Sequence, residues 1–206
     1  ALIDGGLAAA EVTFRTDAAE EAIRAITKAY PDMIVGAGTV LTTEQAQRAL
    51  DAGAKFIVSP GFNPKVVKWC LEKGVTPLPG CTTPSEIEQA LELGLKVVKF
   101  FPAEQSGGLA KIKAMSAPYG AVKFMPTGGV SLDNVNDYLK NSKILACGGS
   151  FMVKESYIDN DNWEEITRLT KQAVDIMLGF DIGHIGINNE NEEDAKNTAK
   201  MLSLFM

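Results

Sequence analysis

Short apolar and β-branched runs return along this chain at a nearly constant step. They cover Glu11–Phe14, Met33–Ala37, Phe56–Ser59, Thr76–Leu78, Val97–Phe101, Val122–Met125 and Ile144–Cys147. Successive starts lie roughly 20 to 25 residues apart, the length of one strand and one helix joined by short loops. Runs this short and this continuously apolar suit strands covered on both faces. The polar positions between them carry helix punctuation. Thr42-Thr43-Glu44 leads into Gln45–Ala52, closed by Gly53; Asn63-Pro64 opens a helix that closes at Gly74. Thr83-Pro84-Ser85-Glu86 opens another that closes at Gly94. Each opening offers a capping side chain, two put Pro at the first helical position, and each closing glycine suits a helix end. Ser131-Leu132-Asp133-Asn134 opens a further helix, and Trp163–Leu178 is the last long amphipathic one of the alternating series.

Strict alternation of strand and helix predicts a parallel sheet. Seven such units predict an α/β fold, a (β/α)₈ TIM barrel, with its first strand missing from this chain. Ala1-Leu2-Ile3-Asp4-Gly5-Gly6-Leu7 reads as the glycine-capped end of a helix, which puts the absent unit upstream. The rival is an open doubly wound sheet, but no GxGxxG turn follows the first visible strand. Past the last barrel helix, Asp181–Ile187 reads as a strand and Glu190–Phe205 as an amphipathic helix with an acidic first turn. The expected division is therefore a barrel over 1–178 and a βα extension over 179–206.

Barrel chemistry collects where strands reach their C-terminal ends. Those positions hold Glu11 and Arg15, Thr39, Ser59-Pro60-Gly61, Pro79-Gly80, Lys99, Thr127-Gly128-Gly129 and Gly148-Gly149-Ser150. Lys99 stands among Val97, Val98, Phe100 and Phe101. A lysine there either snorkels to solvent or is desolvated, with a lowered pKa and a neutral fraction able to attack a carbonyl. Glu11 could move protons opposite it or form a structural ion pair. Arg15 could hold a carboxylate by two parallel bonds or be a surface cation. The two Gly-Gly turns close the last two strands, where barrels habitually cradle phosphate on exposed amides; either turn alone reads equally as a tight corner.

Composition narrows the partners. Apolar residues make up 46% and charged residues 22%, a globular balance, and the net charge of −6 comes with no basic block to attract nucleic acid. No run is long enough to span a membrane and no signal peptide is present, so no membrane partner is expected. Cys70, Cys81 and Cys147 are widely spaced without metal-type pairing, as reduced cytoplasmic thiols would be.

Six motifs in order carry a family resemblance: Glu11-Val-Thr-Phe-Arg15-Thr16, Gly36-Ala-Gly-Thr39-Val40, Ser59-Pro-Gly61, Lys99-Phe-Phe-Pro-Ala-Glu104, Pro126-Thr-Gly-Gly129 and Gly148-Gly-Ser150. Over residues 1–178 the chain resembles the 2-keto-3-deoxy-6-phosphogluconate (KDPG) aldolases and the bifunctional 4-hydroxy-2-oxoglutarate (KHG) aldolases. The resemblance implies a class I aldolase of the Entner–Doudoroff pathway, cytoplasmic, a homotrimer of barrels, needing no metal and no cofactor. Its substrate would be a small 2-keto acid, phosphorylated or not. Position by position, Lys99 would be the Schiff-base lysine and Glu11 the general acid/base. Arg15 and Thr39 would hold the pyruvyl carboxylate, and Phe101 would pack beside the imine. Thr127, Gly128, Gly129, Gly149 and Ser150 would line the far, phosphate end. The tail resembles the opening unit of a vicinal-oxygen-chelate module, in which His184 would be a metal ligand. It could equally be a peripheral extension, or a strand and helix that fill the first barrel slot as in a circular permutant. The alternatives in function are an epimerase or thiamine-phosphate-synthase-like barrel, or an inactive truncated barrel serving as a sugar-phosphate-binding or assembly module.

Overall fold

The computed structural model describes residues 1–179 and 191–202. The chain enters on a tight turn in which the Leu7 amide donates to the Leu2 carbonyl and the Gly6 amide to Ile3, with Gly6 at φ +89°. Those two bonds are the glycine-capped helix end that the opening residues predict. Strand and helix then alternate: β1 (Ala9–Thr13), α1 (Ala18–Ala29), β2 (Ile34–Gly38), α2 (Thr43–Asp51), β3 (Phe56–Ser59) and α3 (Pro64–Glu72). They continue with β4 (Thr76–Pro79), α4 (Pro84–Glu92), β5 (Val97–Phe100), α5 (Gly108–Ser116) and β6 (Lys123–Pro126). Beyond them come α6 (Val135–Leu139), α7 (Glu155–Asp159), α8 (Trp163–Leu178) and α9 (Glu192–Leu202).

The helices start where their caps dictate. Thr42 Oγ1 accepts the Gln45 amide at 3.2 Å and Asn63 Oδ1 accepts the Lys65 amide at 3.0 Å. Glu86 reaches back to the Thr83 amide at 2.9 Å, one half of a capping box. Each cap stabilises its helix by ~1 kcal/mol.

All strand pairs are parallel. One ladder runs β1-β2-β3-β4 and another β5-β6. The two join at a single bridge, Gly80 to Lys99, where the Cys81 amide donates to the Lys99 carbonyl at 2.8 Å. Prolines explain the sparse seam. Gly80 donates back to Ser59 on β3, so alternation turns Pro77 and Pro79 towards β5, and neither has an N–H to give. The bond that survives sits at Lys99 itself.

The seventh expected strand, Ile144–Cys147, differs from the prediction. It lies parallel to β6 through two isolated bridges, Phe124 to Ile144 and Thr127 to Gly148, and is not a continuous strand. Among the described residues it has no second neighbour, and Leu145 remains 60% exposed. Ile182–Ile187, His184 and any pairing of that segment with Val12 or Leu145 lie outside the described residues. α9 falls within the helix predicted over Glu190–Phe205.

The apolar interior forms two clusters. One joins β1–β3 to α1–α3 through Ile23, Val35, Ala46 and Cys70. The other joins β5 and β6 to α4–α6 through Ile87, Val98, Phe100, Ile112, Phe124 and Tyr138. Phe100 and Phe124 are fully buried, each favouring the folded state by ~2 kcal/mol or more. No helix among the described residues is long and apolar enough to cross a membrane.

Candidate active site

β5 sets the centre of the site by strand alternation. Val98 and Phe100 turn outward into the helical layer and are fully buried there, which turns Lys99 to the inside of the wall. Lys99 is only 7% exposed. Its Nζ lies 3.7 Å from Glu11 Oε1 and 5.1 Å from the centre of the Phe101 ring. The structure thus brings Lys99, Glu11 and Phe101 together. Burial pushes the Lys99 amine below the ordinary lysine range; the Glu11 carboxylate pulls the other way, and the charge of Arg15 adds to the lowering. At 3.7 Å the pair attracts without a close hydrogen bond, so the amine is held but not locked in its charged form.

Glu11 reaches the lysine because of a glycine on the neighbouring strand. A Cβ built on Gly38 would lie 1.9 Å from Glu11 Oε1, so the carboxylate occupies the space that any other residue would fill. The motif reading named Thr39 but missed its neighbour; the signal for Gly38 was a glycine at the end of a buried strand, where close approach is its usual reason.

Thr39 follows β2 in the left-handed region at φ +57°. For a β-branched residue that conformation costs ~1–3 kcal/mol and persists only where the surroundings enforce it. Bonds on either side do so: the Phe14 amide donates to Gly38 at 2.7 Å and the Val40 amide to Val58 at 3.1 Å. Arg15 lies two residues after β1, exposed, and makes no ion pair among the described residues. Ser59 spends its hydroxyl on the Gly61 carbonyl at 2.9 Å, which shapes its own loop.

The glycine end is built differently. Gly128 and Gly129 are both left-handed, at φ +92° and +83°, and side chains crowd them: Gly128 against Phe101 and Pro102, Gly129 against Glu104. No described group accepts from the amides of Gly128, Gly129, Gly149 or Ser150. Thr127 is buried, and its hydroxyl has no partner among the described residues. An orphaned buried hydroxyl is destabilising unless something else meets it. The helices after these turns are short, and α6 begins at Val135, well past Gly129. The free donors at the glycines are therefore loop amides and not the first turn of a helix. No group of three or more His, Cys, Asp or Glu side chains among the described residues could hold a metal.

A parallel barrel wall with a desolvated inward lysine defines a class: a Schiff-base, class I lyase on a TIM barrel. Comparison with known proteins agrees. The family model for KDPG and KHG aldolase matches residues 1–169. The 2-dehydro-3-deoxy-phosphogluconate aldolase of Treponema pallidum is 52% identical over 177 residues, 86% of this chain and 84% of its own length. The KHG/KDPG aldolase of Escherichia coli K12 is 42% identical over 175 residues, 85% and 82% of the two chains. The KDPG aldolase of Legionella pneumophila, solved with pyruvate captured as a covalent carbinolamine, superposes with a TM-score of 0.81 at 37% identity, covering 84% of each chain. The chain belongs to the KDPG and KHG aldolase family.

Proposed function

We propose that this chain is a Schiff-base aldolase that cleaves 2-keto-3-deoxy-6-phosphogluconate to pyruvate and glyceraldehyde 3-phosphate. 4-Hydroxy-2-oxoglutarate, cleaved to pyruvate and glyoxylate, is the smaller substrate of the same site. The observation that carries the reading is the Lys99 amine, 7% exposed, with a carboxylate 3.7 Å away.

The neutral Lys99 amine adds to the C2 ketone, and loss of water leaves an iminium. Glu11 removes the proton of the C4 hydroxyl. That oxygen collapses to an aldehyde, the C3–C4 bond breaks, and its electron pair flows into the iminium to give an enamine. Glu11 returns a proton to C3, and water hydrolyses the imine to free pyruvate and Lys99. The carboxylate can do this because Lys99 neighbours it without a close bond that would hold its lone pairs. Arg15 and Thr39 take the pyruvyl carboxylate: the guanidinium follows β1 with no ion pair among the described residues, and the threonine is held out of ordinary backbone space. Phe101 lies against the imine. Thr127, Gly128, Gly129, Gly149 and Ser150 meet the far end, where unclaimed amides and the unpaired Thr127 hydroxyl suit phosphate oxygens.

The reading extends to the assembly and its setting. Residues 1–178 act as the barrel and 179–206 as an appended unit. The active form is a homotrimer, for which exposed Leu71, Leu91 and Trp163 leave apolar area on the outer helices. It works in the cytoplasm, where Cys70, Cys81 and Cys147 stay free thiols. Pyruvate release from both substrates, followed by reduction to lactate and repeated with chelator present, tests the activity. Chelator-resistant release supports it, and release from neither substrate overturns it.

A further inference from the structure

Three consecutive carbonyls at the glycine end are each held by a donor. The Thr127 carbonyl accepts the Ala103 amide at 2.8 Å and the Gly128 carbonyl accepts the Glu104 amide at 3.1 Å. The Gly129 carbonyl accepts Asn134 Nδ2 at 3.0 Å. In a trans peptide the N–H of the next residue points opposite to the C=O. Fixing these three carbonyls therefore turns out the amides of Gly128, Gly129 and Val130, none of which donates to a described group. Consecutive outward amides in left-handed glycines form an anion-binding concavity.

Two of the three pulls are backbone bonds from the loop after Lys99. The third is made by a side chain, and that side chain is doubly placed. Asn134 Oδ1 accepts the Ser131 amide at 2.9 Å while its Nδ2 holds Gly129, so the amide group spans the turn from Gly129 to Ser131. Glu104 adds a steric stop. A Cβ on Gly129 would fall 2.5 Å from Glu104 Cγ, so the glycine rests on that side chain, whose carboxylate accepts the buried Tyr138 hydroxyl.

From this we infer that Asn134 is a positioning residue for substrate choice: it aims the Gly129–Val130 peptide at the phosphate and so favours the phosphorylated substrate over the unphosphorylated one. The inference rests on the aldolase reading and on the glycine turn being its phosphate end. Asn134 reaches no reacting atom. Its donor is spent on the Gly129 carbonyl and its acceptor on Ser131, and it acts through the orientation of the loop.

The test compares Asn134→Ala with the unaltered protein in kcat/KM for 2-keto-3-deoxy-6-phosphogluconate and for 4-hydroxy-2-oxoglutarate. The ratio of the two falls about fivefold, the factor one neutral hydrogen bond supplies, with the change carried by KM of the phosphorylated substrate. Borohydride trapping of pyruvate on Lys99 in the variant shows that the fold and imine site survive. Equal losses on both substrates, or a loss confined to kcat, overturn the inference, and so does an unchanged ratio. If the unaltered protein itself traps no pyruvate, the aldolase reading fails, which is a separate outcome.

Discussion

The two ends of the rim solve opposite problems. At the lysine end, one charged side chain leaves water: Lys99 is buried on β5, the partly exposed Glu11 fits over a glycine, and Thr39 is bent into strained backbone. At the glycine end, the donors are the amides of Gly128, Gly129, Gly149 and Ser150, which no described group accepts from. The first arrangement shifts a pKa and suits bond-breaking. The second keeps a fixed partial charge that no proton can neutralise and suits recognition. The supporting backbone follows the division. At the lysine end Glu11 and Thr39 stand on or beside the continuous ladder from β1 to β4, and Lys99 stands on β5, which joins that ladder through one bridge. The glycine end hangs on β6 and a stave held by two bridges.

Substitutions should separate the two ends. The largest effect falls on Glu11→Gln, which keeps the shape and removes the base: cleavage of both substrates drops by ~10²–10⁴-fold, while pyruvate still forms an imine. Equal loss of imine formation and cleavage would mean that Glu11 only props Lys99. Next is Gly38→Ala. The added methyl displaces a flexible carboxylate and not backbone, so the fold holds while turnover falls ~10-fold or more. In an Glu11→Gln background the same change should cost much less, a double-mutant cycle that reports whether Gly38 acts through Glu11.

Thr127→Val probes the other end. It removes a buried hydroxyl without a partner, so thermal stability rises by ~1 kcal/mol while KM for the phosphorylated substrate increases. A fall in stability would show that the hydroxyl has a partner in solution. The smallest effect is on folding alone. Because the folded-state pKa of Lys99 is lowered, the unfolded chain binds the extra proton between the folded pKa and about 10.5. Stability contributed by this site therefore rises with pH through that window and is lowest below it. Lys99→Met should raise the melting temperature at neutral pH and lose that advantage as the pH approaches the lysine range.

Local physics was readable in the sequence. Asn63-Pro64 and Thr83-Pro84-Ser85-Glu86 start α3 and α4 through their own side chains, and Trp163–Leu178 forms α8 over its predicted length. The apolar run around Lys99 is readable in the sequence, while the inward turn of the lysine shows only in how Val98 and Phe100 pack against the helices. Features that depend on neighbours were not readable in the same way. α5 starts at Gly107 without a side-chain cap, so nothing local announces it. Ile144–Cys147 is as apolar as the other runs, yet among the described residues it meets β6 only through two isolated bridges. Pro77 and Pro79 explain the seam between β4 and β5 only once the register with β3 fixes their direction. The space for Glu11 over Gly38 comes from two strands distant in sequence. Chemistry could be guessed from residue types in order; the geometry that makes it work belongs to the pairing of strands.

The central claim is that Lys99 is a nucleophile because the barrel wall keeps it from water. Incubation with pyruvate and borohydride, digestion and mass analysis of the peptide containing Val97–Glu104 test it directly. The predicted result is a reduced pyruvyl adduct on Lys99, abolished in Lys99→Ala together with cleavage. An adduct on another lysine, or labelling that survives Lys99→Ala, would contradict it.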